Sequence, residues 1–184
     1  MSADGPPEHR TYKEAAMKTI TTVGHAFAAG LLYLITLVAW SPLYAAEDDE
    51  IVKVVYHADF ADPRRFSAML SSIHNMVTYY EDQLLDYDVR VVFNSYGIRF
   101  VTGDSLKDTP FAADAALEER RDNLKGRLLS LHEVAGVKLE LCEITRVSVG
   151  LDPDKLYPEV ARVPSGVVQI ADLQRQGFSY LKVE

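Results

Sequence analysis

The chain has 184 residues, 48% of them hydrophobic, which is enough for one ordinary domain with a real core and too short for two comfortable ones. A formal charge of -8 and a pI near 5.1 argue against a nucleic-acid or acidic-membrane partner, because phosphate binding calls for a basic stripe and no Lys/Arg run here exceeds two residues. The single cysteine, Cys142, excludes an intramolecular disulfide and any multi-cysteine metal site, so packing alone must hold the core together.

Residues 1–16 are polar, bear proline and glycine and lack periodicity, as expected of a disordered leader or of a start placed upstream of the true one at Met17. Residues 17–46 then have the layout of a secretory signal peptide: Lys18 in a polar opening, an apolar run from Ala26 to Trp40, Pro42, and small residues at Ala45 and Ala46 for cleavage. The run of about fifteen residues is shorter than the ~20 that a membrane-spanning helix needs, so no stable anchor is expected once the signal is removed. The sequence therefore predicts an exported, periplasmic protein whose folded domain occupies residues 47–184.

After the acidic linker Glu47 to Glu50, the β-branched run IVKVVYH (51–57) predicts a buried strand. Asp62 followed by Pro63 supplies an N-cap and a first-turn proline, and the spacing of Phe66, Met69, Leu70, Ile73, Met76, Val77 and Tyr80 predicts an amphipathic helix ending near Gln83. YDVRVVF (87–93) is a second strand. Asn94 to Gly97 reads as a polar turn, 98–101 as a strand stub or a buried loop, and 103–111 as turns. A long helix over 112–135 is predicted to turn Leu117, Leu124, Leu128, Leu131 and Val134 inward and to end at Gly136.

The next stretch, VKLELCEITRVSVG (137–150), is the one around which the chain is organised. Val137, Leu139 and Leu141 alternate with Lys138, Glu140 and Cys142, so the thiol falls on the more polar side at the carboxyl end of a strand, just before a helical turn. Open α/β sheets bind ligands at that edge, where outward-pointing helix amides favour a thiolate; Glu143 should oppose ionisation and Arg146, one turn on, should assist it. The bland alternative is a cysteine that only fills space. A short turn in DPDKLYP, a brief strand at 159–163, a helix over 166–176 capped by Ser165, and a last strand at 178–183 complete the chain.

Strands alternating with helices predict an α/β fold: a mainly parallel sheet of about five strands flanked by helices on both faces. Its carboxyl rim should gather His57, the Asn94–Gly97 turn, Cys142 and Ser165. His57 is a candidate to polarise the sulfur, against the alternative of a histidine satisfied by backbone; the Ser165–Gly166 helix start could hold an anion. Asn94 and Tyr96 are candidate ligands or simply turn residues, and Gly97 is expected to supply a positive φ. A GDSL string at 103–106 copies a lipase/esterase nucleophile block, but it lies mid-chain in a turn and no Asp-x-x-His follows, so it is read as chance. A Cys142–His57 hydrolase lacks an evident third group to orient the histidine. Nothing calls for a metal, a nucleotide or a flavin, and no glycine-rich phosphate loop is present.

Four ordered blocks, KVVYHADFADPRRFSAMLSSIHNM, VRVVFNSYGIRFV, GVKLELCEIT and DKLYPEVARVPSGVVQIADLQRQGFSYLKV, resemble the DsrE/DsrF-like (YchN-like) family over residues 51–183. The resemblance implies a single-domain parallel α/β fold that assembles into oligomers, often trimers or hexamers, with a sulfur donor or acceptor protein as partner. It also implies sulfur transfer rather than hydrolysis, with Cys142 matching the cysteine that carries a persulfide in better-known relatives. The sequence departs from the family's frequent His-Gly pair after the second strand, having Asn94, Ser95, Tyr96 and Gly97 there. An exported address likewise differs from the cytoplasmic relay proteins, so tRNA thiolation is not implied.

Overall fold

In the computed structural model, residues 51–183 are described. The expected leader, the signal segment and the acidic linker lie outside the described residues. Among the described residues no helix is long and apolar enough to cross a membrane.

The elements run β1 (Val52–Ala58), α1 (Pro63–Asp82), β2 (Tyr87–Phe93), a 3-10 turn (Ser95–Phe100), α2 (Ala115–Ala135), β3 (Lys138–Cys142), α3 (Glu143–Ser148), a second 3-10 turn (Pro153–Lys155), β4 (Val160–Val163), α4 (Gly166–Arg175) and β5 (Ser179–Leu181). Helices α1, α2 and α4 each begin at a side-chain cap. The Asp62 carboxylate accepts from Arg64 N at 2.7 Å with Pro63 in the first turn; Asp114 accepts from Leu117 N at 2.9 Å; Ser165 Oγ accepts from Val168 N at 3.5 Å. Asp114 starts α2 three residues later than the apolar pattern indicates, and Gly136 closes it at φ 64°.

All strand pairs are parallel, in the order β4-β3-β2-β1-β5. His57 aligns with Val92, Phe93 with Leu141, and Cys142 with Val163, so the strand ends form one rim. On one face Val54, Tyr56, Val89, Val91, Phe93, Leu139 and Leu141 pack against α1 and α2, with Phe66 stacked on Phe100 at 4.0 Å between ring centroids. On the other, Val55 and Val92 meet Ile170 and Leu173 of α4 and Phe178. Helices thus cover both faces, two on one side and α4 on the other.

Two expectations are corrected. Val134 is 81% exposed rather than part of the α2 stripe. With about 100° per residue it lies roughly a quarter-turn off the line through Leu117, Leu124, Leu128 and Leu131, and Ala135 takes the inward place. The strand-stub reading of 98–101 gives way to its buried, non-strand alternative: Ser95–Phe100 coil as a 3-10 turn that buries Ile98 and Phe100.

Candidate functional site

The site is built on three strand ends and the starts of two helices. Because Cys142 is the last residue of β3 and the N-cap of α3, its side chain meets amides that have no partner inside the helix. Cys142 makes no side-chain cap bond to α3, but the backbone N–H groups of Gly166, Thr145 and Ile144 and the hydroxyl of Thr145 lie near enough to its sulfur to favour the charged form. Burial pushes the thiol up, but these donors more than offset it and hold the Cys142 pKa below its ordinary value. The Thr145 hydroxyl is itself fixed from behind by the Ser95 N–H, 3.1 Å from Oγ1. Ser95 makes that reach from the left-handed region, at φ 48°.

Asn94, 8% exposed, directly follows β2 and links two parts of the rim. Its Nδ2 lies 3.1 Å from His57 Nε2, while its Oδ1 is buried without a hydrogen-bond partner. That oxygen abuts Gly166: a Cβ added there would stand 1.8 Å from it. Gly166 is therefore the common neighbour of the Asn94 amide and the Cys142 sulfur, and only a residue without a side chain lets both approach.

The His57 Nδ1 lies 3.0 Å from the Tyr180 hydroxyl, and Nε2 lies 4.0 Å from the Asp59 carboxylate, which Lys182 holds at 3.0 Å. Burial lowers the His57 pKa, Asp59 opposing and Lys182 adding to the effect, so the ring is neutral near pH 7. It is neither satisfied by backbone nor unoriented: Tyr180 and Asn94 fix its plane from opposite nitrogens.

The rim thus unites His57, Asn94, Cys142 and Gly166. Other expected site residues fall elsewhere. Tyr96 packs edge-on against Phe111 at 5.0 Å. Arg146 turns to Glu143 at 2.6 Å and to the Leu151 carbonyl, and Glu143 is shared with Arg162 at 3.3 Å, so the two charges are engaged with each other. Ser165 is spent on capping α4. Gly97 does not supply a positive φ, which belongs to Ser95; it is required because an added Cβ would stand 2.0 Å from the Ala58 carbonyl oxygen. Cys142 lies on the polar side of β3 as the alternation predicts, but it does not open to solvent: the residue is 6% exposed, beneath the start of α4.

Sequence reasoning missed Thr145 and Tyr180. Thr145 carries a readable signal, a hydroxyl residue in the first turn of a helix that starts at the cysteine. Tyr180 carries none, since only the pairing of β5 beside β1 brings it to His57. Among the described residues no group of three or more His, Cys, Asp or Glu side chains is placed to hold a metal ion.

This geometry can be set beside known proteins. Residues 49–183 match the DsrE/DsrF-like family. The chain belongs to that family. Among solved structures, this DsrE/DsrF-like chain is similar to the protein of unknown function MTH1491 from Methanobacterium thermoautotrophicum, at 25% identity and a TM-score of 0.54, covering 71% of this chain and 98% of that one. It is also similar to the YchN protein of E. coli, at 16% identity and a TM-score of 0.43, covering 72% and 99%. No curated protein matches.

Proposed function

We propose that this protein is an exported carrier of sulfane sulfur, loaded on Cys142. The observation that supports the reading is the set of donors converging on one sulfur: the Ile144, Thr145 and Gly166 amides and the Thr145 hydroxyl favour a thiolate at the carboxyl rim, where α/β sheets bind their ligands. Family membership supports it further. In the step proposed, the Cys142 thiolate attacks the outer sulfur of a persulfide or polysulfide donor. A new S–S bond forms, the donor's S–S bond breaks, and the donor leaves as a thiolate that keeps the bonding pair. The same exchange run towards an acceptor thiolate regenerates Cys142, with no external oxidant or reductant. His57 and Asn94 border the site without taking part in the bond exchange.

The reading includes a homo-oligomer, a trimer or hexamer, and a periplasmic address given by residues 17–46. Intact mass after incubation with a polysulfide should show a gain of about 32 Da that Cys142→Ser abolishes. No gain, or an equal gain on the variant, refutes the carrier. Light scattering should give a multiple of the chain mass, and the exported form should begin near residue 46 or 47.

A second reading is favoured by the 6% exposure of Cys142: a non-catalytic oligomeric module that binds a small ligand or protein at this rim, with the cysteine as packing. An unreactive thiol in the same mass experiment decides for it.

A further inference from the structure

Each of the four helices among the described residues ends beside a residue in the left-handed region, and one of them breaks the local rules. Gly136 closes α2 at φ 64°, Gly150 follows α3 at φ 64° and Gly177 follows α4 at φ 91°, where the missing Cβ removes the steric cost. At the end of α1 the same place is held by Leu84, at φ 55°. The closing hydrogen bonds of α1 and α4 correspond: the Leu85 N–H donates to the Tyr80 carbonyl at 2.9 Å, as the Phe178 N–H donates to the Leu173 carbonyl at 3.1 Å. The packing does not. Phe178 is buried, whereas Leu85 is exposed and Leu84, at 94% exposure, stands almost wholly in solvent.

Charge at this helix end is also out of place. Glu81 and Asp82 occupy the negative end of the α1 dipole with no basic residue in the last turn, while His132, Arg146 and Arg175 hold that place in α2, α3 and α4. Asp86 follows in the turn. Glu81 accepts from the Tyr87 hydroxyl at 2.8 Å, and among the described residues no Lys or Arg pairs with Glu81, Asp82 or Asp86. Lys53 is turned to the Gln176 carbonyl at 3.3 Å. The Val52 N–H donates to the Asp86 carbonyl at 2.9 Å, so exposed Ile51 joins Leu84, Leu85 and exposed Tyr79 around the turn, and Glu47 to Glu50 precede it in sequence.

We propose that the α1–β2 turn is a docking surface for a cationic amphipathic segment of another protein, with Leu84 as its anchor. Local rules broken with no gain inside the chain point to a gain outside it. One kind of partner answers both departures: its apolar face covers Leu84, Leu85, Tyr79 and Ile51, and its Lys or Arg side chains meet Glu81, Asp82 and Asp86. An anionic membrane would meet carboxylates of its own sign. The surface lies at the amino ends of β1 and β2, where Val52 pairs with Tyr87, at the edge opposite the Cys142 rim, so it does not depend on the carrier reading.

The test uses the full-length chain and a synthetic amphipathic peptide of leucine and lysine, with a leucine–glutamate peptide of the same pattern as control. Nitrogen-15 amide NMR should show shifts at residues 79–87 and 51–53 with the lysine peptide and none with the glutamate peptide. Leu84→Asn suits the left-handed position without an apolar side chain. It should keep or raise the melting temperature and weaken the lysine peptide about tenfold, the equivalent of one leucine left unburied. Asp82→Asn combined with Asp86→Asn should weaken binding and flatten its salt dependence. The docking surface is overturned by no shifts with the lysine peptide, equal shifts with the glutamate peptide, shifts centred away from the turn, or unchanged affinity in either variant. A lower melting temperature in Leu84→Asn overturns it too, because Leu84 would then serve the fold. Self-association that Leu84→Asn abolishes in light scattering assigns the patch to a second copy of this chain and likewise overturns it.

Discussion

The two faces of the sheet solve different problems with the same strands. The face under α1 and α2 is dry: Val54, Val91, Phe93, Leu139 and Leu141 meet Phe66, Leu70, Leu128 and Phe100, and area removed from water does the stabilising. The face under α4 has only Val55, Val92, Ile170, Leu173 and Phe178 as a core. Across the rest of it runs a charged ladder in which Asp88, Arg90, Lys138 and Glu140 pair at 2.8–3.0 Å, with Gln169 of α4 bonded to Glu140. His57, Asn94 and Cys142 lie at the rim end of this polar side. A close-packed aliphatic face tolerates no donor or acceptor without a partner, whereas a hydrogen-bonded face can orient a thiol and an imidazole. Stability and site chemistry are therefore expected to respond to different substitutions.

The largest effect should come from the dry face. Phe66→Ala removes the ring stacked on Phe100 and should cost about 3–5 kcal/mol in denaturant unfolding, while the rate of Cys142 alkylation in the folded protein stays at the wild-type value. A changed alkylation rate in that variant would mean that the faces are coupled. Next is Gly166→Ala, which drives a methyl into the Asn94 amide. It should cost about 1–3 kcal/mol and also slow alkylation by displacing the Gly166 amide from the sulfur; a loss of stability with unaltered thiol reactivity would break the comparison. Asp62→Ala, at the α1 cap far from the thiol in sequence, should cost about 1 kcal/mol with alkylation unaffected.

The smallest effect should be the pH dependence contributed by His57. Its folded pKa lies below the ordinary 6.5 because burial disfavours the imidazolium, so the unfolded chain binds more protons as pH falls below that value. The sign follows: this contribution to stability is fully present above about 6.5 and declines as pH falls from there through the folded pKa. Melting temperature between pH 7.5 and 5.5 should therefore drop more steeply in wild type than in His57→Gln, with buffers chosen to have matched ionic strength. Equal slopes would remove His57 from the acid response.

Much of the dry face was legible in the chain. The Asp62–Pro63 start, the stripe from Phe66 to Val77 and the alternation in 137–142 are period signals that depend only on neighbours a few residues apart. Val134 lies off the face because the stripe ends on two successive steps of three, Leu128 to Leu131 to Val134, and each falls about 60° short of a full turn. At the rim the same reading found His57, Asn94, Cys142 and Gly166 but assigned Arg146 to the sulfur. An i, i+3 carboxylate, Glu143, was the nearer and better partner.

The sequence by itself determined the alternation of strands and helices, the parallel α/β class and the place of the lone thiol at a strand-to-helix junction, because each follows from local periodicity and capping. Only the tertiary structure decided what surrounds that thiol. The amide of Gly166, the hydroxyl line through Thr145, and the Tyr180–His57–Asn94 chain come from strands and helices that meet only once β5 is laid beside β1 and α4 crosses above β3. Hydrogen bonds are short and directional, so their partners are fixed by where distant backbone segments arrive, and that is a property of the packed sheet.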